Sequence, residues 1–322
     1  MKEKNSACNI HKTSIGGQAV IEGVMMRGPK SIATSVRKPD GEIITDTADL
    51  GKGRTNKFVK LPVIRGCVNF FDSMIVGVKA LMFSAKFFDI EEDGTPKEEE
   101  PSRFEAWLEK KLDSEKATNV VIYISVVLSL CLSVGLFILL PGAIGELIRS
   151  YIIDNTYVVT IAEGILRIGI FVIYLALVAQ MKDIKRVFMY HGAEHKSINC
   201  YEHGEELTVE NVRKHTRLHP RCGTSFLLIV MVVSVLIFFF IPPMHPILRI
   251  LVRIALLPVV AGVSYEIIKF AGRHDNTFTR IISKPGMWFQ HITTNEPDDS
   301  QIEVAIASLK AVMPENKEED KW

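Results

Sequence analysis

The chain has 322 residues, with 38 Lys and Arg against 37 Asp and Glu and a formal net charge of +1. That balance lacks the basic excess of a nucleic-acid binder, so no nucleic-acid partner is expected. Hydrophobic residues make up 48% of the chain, and they are gathered in long blocks, so their distribution decides the class.

Residues 1–60 are expected to form an N-terminal cytosolic unit. Lys2, Lys4 and Lys12 are followed by no apolar run, so no signal peptide is expected, and the first spanning segment is expected to target the chain. Ser31 to Arg37 and Glu42 to Thr45 flank Pro39-Asp40-Gly41, which predicts a short β-hairpin. Gly16, Gly17, Gly23 and Gly28 surround Glu22 and Arg27. Glycines permit close backbone approach, but this spacing is not the dinucleotide-binding fingerprint.

Residues 61–90 place Arg65, Asp72, Lys79 and Lys86 seven apart between Phe70, Phe71, Met74, Ile75 and Val78. One thin polar stripe on a broad apolar face predicts an amphipathic or membrane-associated helix, with a further span as the alternative. Residues 91–118 read as an acidic linker, Glu91 to Glu100, and an in-plane helix carrying Phe104, Trp107, Leu108 and Leu112.

Residues 119–270 predict a four-span membrane domain, with spans at about 120–141, 161–181, 222–243 and 248–268. The first and third are free of charge. The second carries Glu163 and Arg167, and the fourth Arg249, Arg253 and Glu266; a pair of amphipathic surface helices is the alternative for these two. The 182–221 loop holds Lys182, Lys185, Arg186, Lys196, Arg213, Lys214, Arg217 and Arg221, whereas Pro141 to Thr160 has only Arg149. The positive-inside rule therefore places the His-rich 182–221 loop in the cytosol. Glu163 meeting Arg249 or Arg253 would pin the second span to the fourth, and a polar path is the competing reading of these charges. Residues 271–322 are expected to be a C-terminal cytosolic tail whose short helix presents Ile302, Ala305, Ile306 and Leu309 on one face.

The expected fold is thus mainly α: a polytopic helical membrane protein with a four-helix transmembrane bundle, an amphipathic interfacial helix and a small N-terminal β-containing cytosolic unit. It is expected in the cell membrane with both termini cytosolic. The five cysteines, Cys8, Cys67, Cys131, Cys200 and Cys222, give no paired framework and are expected as reduced thiols.

The chemistry is concentrated in His191-Gly192-Ala193-Glu194-His195. On a helix the two histidines lie one turn apart, suited to one metal, and His-x-x-Glu-His is the inverted zincin order, in which the glutamate is general base. His215-x3-His219-x2-Cys222 follows at the start of the third span, and Glu266 falls at the cytosolic end of the fourth. The expected site is one divalent metal on His191, His195 and His219, with Cys222 or Glu266 as fourth ligand and Glu194 as catalytic base. Imidazole with thiolate favours zinc, whereas closure by Glu266 would admit iron or manganese more readily. Ordinary interfacial polar histidines are the competing reading.

The chain resembles the YqhQ-like family of bacterial membrane proteins. The resemblance is carried by Gly16-Gly17-Gln18-Ala19-Val20-Ile21-Glu22-Gly23-Val24-Met25-Met26-Arg27, by Ala193-Glu194-His195-Lys196, and by His219-Pro220-Arg221-Cys222-Gly223-Thr224-Ser225-Phe226. Trp288, Gln290, Thr293-Thr294 and Glu296-Pro297-Asp298-Asp299 extend it over most of residues 13–310. The family is of unknown function and is sometimes described as predicted metal-dependent enzymes, so the resemblance implies a multi-pass membrane protein and no demonstrated reaction.

Three functions are expected to compete. The first is a metal-dependent hydrolase at the cytosolic membrane face, in contact with membrane lipid and acting on a lipid-linked, peptide or small phosphorylated substrate. The second is a transporter or channel accessory using the intramembrane charges, with a homodimer supplying the missing spans. The third is a non-catalytic scaffold or assembly factor.

Overall fold

The computed structural model describes residues 11–50, 61–88, 114–242, 244–274 and 276–322. Cys8, the acidic linker and the in-plane helix expected before the first span lie outside these residues. The described chain is mainly helical with one small antiparallel sheet. It divides into two compact units: Met1–Phe88, Leu175–Val233 and Leu257–Trp322 form the first, and Asp89–Tyr174 with Ser234–Leu256 form the second.

The first unit is built on a four-stranded meander, β1 (Gly16–Val20), β2 (Gly23–Arg27), β3 (Ser31–Arg37) and β4 (Ile43–Asp49), in the order β1-β2-β3-β4. The hairpin expected at Pro39-Asp40-Gly41 is the β3–β4 corner, where Gly41 takes φ 90°. The glycine-rich segment before it supplies two further strands. Their turn places Glu22 at φ 49°, and Glu22 is tied down by Arg186 and by the Tyr190 hydroxyl, which donates at 3.0 Å.

Side chains alternate across this sheet, as the strand period requires. Val24, Met26 and Ala33 enter a core with Tyr190, Ala193 and Ile198 of α5 and Ile302, Ala305 and Leu309 of α10. Val20, Met25 and Val36 turn to the other face, against Ala80 and Val76 of α1. Each fully buried aliphatic side chain stabilises the unit by roughly 1.5–3 kcal/mol.

The helices, in chain order, are α1 (Ile64–Ala85), α2 (Ser114–Val134), α3 (Leu140–Tyr151), α4 (Thr156–Val178), α5 (Lys182–Glu202), α6 (Val209–Lys214), α7 (Gly223–Phe239), α8 (Pro246–Arg273), α9 (Thr277–Thr293) and α10 (Asp299–Val312). A π-helical turn, Gly135–Leu139, joins α2 to α3. The tail helix α10 begins at a reciprocal cap: the Gln301 N–H donates to Asp298 Oδ1 at 2.9 Å and the Asp298 N–H to Gln301 Oε1 at 3.0 Å, which satisfies two of the helix's orphan amides.

Four helical stretches are long and apolar enough to cross a membrane: Ile64–Ala85, Val127–Tyr151, Thr156–Val178 and Ile247–Arg273. They are not the four expected. The segment read as interfacial belongs to the set, and the third expected span, Gly223–Phe239, is a shorter apolar helix of 17 residues. The reason lies in the polar stripe of α1. Arg65 gives two hydrogen bonds to Glu266, so its charge is matched within the unit. Gly66 rests against Gly262, where an added Cβ would lie 2.8 Å from the Gly262 oxygen; small residues let the two helices approach closely.

In the second unit, Glu163 on α4 pairs with Arg249 at 3.1 Å and with Arg253, both on α8. Arg167 donates from Nε to the Phe137 carbonyl in the π-helical turn, at 2.9 Å, and from Nη1 to Ser234 at 3.1 Å. Arg167 and Arg253 both lie over the Phe238 ring, at 5.5 and 5.3 Å.

Candidate metal centre

All residues of this centre belong to the first unit. Helix α5 carries His191 and His195 one turn apart, with their rings 4.4 Å centroid to centroid. Cys222, immediately before α7, reaches them: His191 Nε2 and Cys222 Sγ are 3.2 Å apart. The donor atoms of His191, His195 and Cys222 all lie within 4.8 Å of one another.

The tautomers follow from the partners. His191 Nδ1 lies 2.8 Å from the Thr293 carbonyl, and His195 Nδ1 lies 2.6 Å from the Arg217 carbonyl. A carbonyl can only accept, so each Nδ1 carries the hydrogen. Nε2 is then the atom each ring directs to the shared space, and in the neutral form its lone pair is free for a metal, the arrangement typical of metal-ligating histidines. Zinc bonds of about 2.0–2.3 Å at tetrahedral angles need donors roughly 3.3–3.6 Å apart, so this set fits with small adjustments.

Electrostatics point the same way. Burial alone would lower the His191 pKa, but the negative charge and hydrogen bond of Cys222, followed by Glu194, raise it to about 9. Burial would raise the Cys222 thiol, yet the positive charges of His195 and His191 and their hydrogen bonds hold it well below its ordinary value. The Thr224 N–H and hydroxyl, at 3.4 and 3.1 Å, add a helix N-terminus to the stabilisation of the thiolate.

Glu194 is buried beside the cluster, its Oε2 3.9 Å from His191 Nε2. That oxygen has no hydrogen-bond partner. Burial raises its pKa, opposed in part by the charges of His195 and His191. Gly17 on β1 makes room for it: a Cβ there would sit 2.6 Å from the Met25 oxygen and 3.0 Å from Glu194 Cδ.

Two expected ligands are directed elsewhere. The His219 ring stands 5.7 Å from that of His195 and turns its Nε2 to Glu202 at 3.5 Å. Glu202 also takes the Thr13 N–H at 2.8 Å and the Arg221 guanidinium. Glu266 gives both oxygens to Arg65. His219 instead contributes its backbone: its N–H and carbonyl both bond the Gln290 side chain at 2.8 Å, which fixes the loop leading to Cys222. The roles of Gln290, Glu202 and the Thr293 carbonyl were not readable from the sequence. Carbonyl acceptors leave no residue-type signal, and these partners sit on other elements. A second cluster, Cys200, Glu205 and His215, also lies within 4.8 Å. There burial pushes the Cys200 thiol up to about 11, so it stays protonated and ligates poorly.

A cavity of about 340 Å³ opens onto the cluster, its wall including Glu194, His195, Cys222, Gly17, Phe70 and Phe226.

The class defined so far is a helical protein with membrane-length apolar helices and a buried His–His–Cys cluster beside an unpartnered carboxylate. The chain belongs to the family described as "Protein of unknown function (DUF1385)", which matches residues 61–315. It is also 36% identical over 308 residues to "Uncharacterized protein YqhQ" of Bacillus subtilis (strain 168), covering 92% of each chain. No solved structure matches it.

Proposed function

We propose that the protein is a metal-dependent hydrolase of the cell membrane, holding zinc on His191, His195 and Cys222 at the cytosolic face. The observation that carries this reading is the pair of carbonyl-anchored imidazoles whose Nε2 atoms converge on a thiolate. Three protein ligands with one open position is the pattern of catalytic zinc sites. When bound there, zinc would act as a Lewis acid and lower the pKa of water. Glu194 is the proton acceptor: its Oε2 is buried without a hydrogen-bond partner among the described residues, and burial raises its pKa, which strengthens it as a general base. Membrane location is supported by the four apolar helices and by exposed side chains such as Leu128, Leu132 and Ile165. The Lys and Arg of residues 182–221 favour a cytosolic site and cytosolic termini.

A second reading draws on the 3.2 Å His191–Cys222 contact: a thiolate nucleophile activated by an imidazolium. It needs no metal.

The test is elemental analysis of the purified protein with complementation of a deletion strain. Zinc at about one per chain, lost in His191→Ala, His195→Ala and Cys222→Ala, supports the metal reading. Glu194→Gln should keep zinc and abolish complementation. A metal-free wild type that still needs Cys222 and His191 favours the thiol reading. Complementation that survives every one of these changes points to the scaffold.

A further inference from the structure

We propose that the cavity beside the metal centre seats an amphiphile bearing a phosphate group, with the phosphate in a basic chamber and the apolar chain along α1. This rests on reading His191, His195 and Cys222 as the reacting centre.

A second cavity of about 410 Å³ adjoins the first. The two share Arg27, Asn69, Ser73 and Trp322 as a common wall. Arg27, Lys269, Arg273 and Lys321 line this second chamber, and among the described residues no acidic one does. The side chains of Arg27 and Arg273 form no ion pair with a described residue. Lys269 lies 5.7 Å over the Tyr265 ring, while Lys321 is matched by Glu318 at 2.5 Å. Two guanidinium groups with no ion-pair partner among the described residues flank this recess, and their planar forks suit phosphate.

The first cavity has the opposite character. Phe70, Val76, Met25, Phe226 and Ile268 give it a large apolar surface, and the Phe70 and Phe226 rings lie 5.8 Å apart. Phe70 and Val76 belong to α1, whose neighbouring Phe71, Met74, Ile75 and Val78 are exposed. An apolar chain leaving the cavity would therefore meet an apolar helix face. Glu194, His195 and Cys222 line the first cavity, which shares a wall with the basic chamber, so an amphiphile seated across the two would meet the reacting centre.

Calorimetric titration of the full-length protein in detergent tests this with three probes: dioctanoyl phosphatidic acid, dioctanoylglycerol and inorganic phosphate. Phosphatidic acid should bind at least about tenfold more tightly than either of the others, and Arg27→Gln and Arg273→Gln should each weaken it by about tenfold or more. Arg273 is exposed at a helix end, so its variant keeps the fold if Arg27→Gln does not. Equal binding of dioctanoylglycerol, or no loss in Arg273→Gln, overturns the phosphate seat. Inorganic phosphate binding as tightly as the lipid overturns the lipid assignment. Zinc content separates the two readings. Both arginine variants should retain zinc, and Cys222→Ala should lose zinc yet still bind phosphatidic acid. Arginine-dependent binding by a wild type that never holds zinc would remove the metal centre and leave the seat standing.

Discussion

Two buried polar clusters invite comparison. In the second unit, Glu163 lies among Arg249, Arg253 and Arg167, and the surplus positive charge is met by the Phe137 carbonyl, the Ser234 hydroxyl and the Phe238 ring. Opposite charges face one another; Arg253 Nε and Glu163 Oε1 are buried without a hydrogen bond among the described residues, the latter still beside Arg249. In the first unit, the charges do not close on themselves. His191 and His195 spend their Nδ1–H groups on carbonyls and aim their Nε2 atoms at the space beside a thiolate, while Glu194 Oε2 has no donor. Without a metal, a proton on His191 Nε2 bridges the ring to the thiolate; a bound cation would take the place of that proton. The first arrangement holds helices together; the second is prepared for a ligand.

The largest effect should come from removing a converging donor. Cys222→Ala or His195→Ala should bring bound zinc to background by elemental analysis, while Glu163→Ala should leave zinc per folded chain unchanged. The protonation state sharpens this. His191 is raised to about 9, so at pH 7.5 the metal-free ring carries a proton that zinc must displace, whereas the neighbouring imidazoles hold the Cys222 thiol well below its ordinary value. Zinc binding should therefore release about one proton, read as the dependence of binding enthalpy on buffer ionisation enthalpy. Affinity should rise with pH up to about 9 and flatten above it.

Next in size, Glu163→Ala should destabilise the protein by about 3–5 kcal/mol, because it strands buried arginines. Thermal unfolding in detergent measures it, and an unchanged midpoint would break the structural reading of that cluster. Smaller still, Gln290→Leu should weaken zinc by about tenfold through the loop that carries Cys222. At the bottom, the exposed Arg213–Asp299 pair should contribute less than about 1 kcal/mol, so Asp299→Asn should leave both stability and zinc nearly unchanged.

The readable parts of the sequence were those with local periodicity. His191 and His195 stand four apart, so a helix brings them together whatever surrounds it. Long apolar runs gave three of the four membrane-length helices in the same way, and missed Ile64–Ala85, whose polar stripe led to an interfacial reading. Selection among distant donors was not readable. Whether His219 or Cys222 faces the pair depends on Glu202, Arg221 and Gln290, which turn the imidazole aside and fix its backbone. Glu266 stood at a suitable helix end, but Arg65, far away in sequence, takes both its oxygens. Strands β1 and β2 were hidden because Gly16-Gly17-Gln18-Ala19 has weak strand propensity; pairing with β2 and β3 and packing under α5 make them strands.

The most direct measurement is the absorption spectrum of the cobalt-substituted protein. The account predicts intense ligand-field bands of a four-coordinate site with a sulfur-to-cobalt charge-transfer band. That band should vanish in Cys222→Ser and persist in His219→Ala and Glu266→Gln. A spectrum without the thiolate band, or one lost in Glu266→Gln and untouched in Cys222→Ser, would contradict the assignment of His191, His195 and Cys222 as the metal centre.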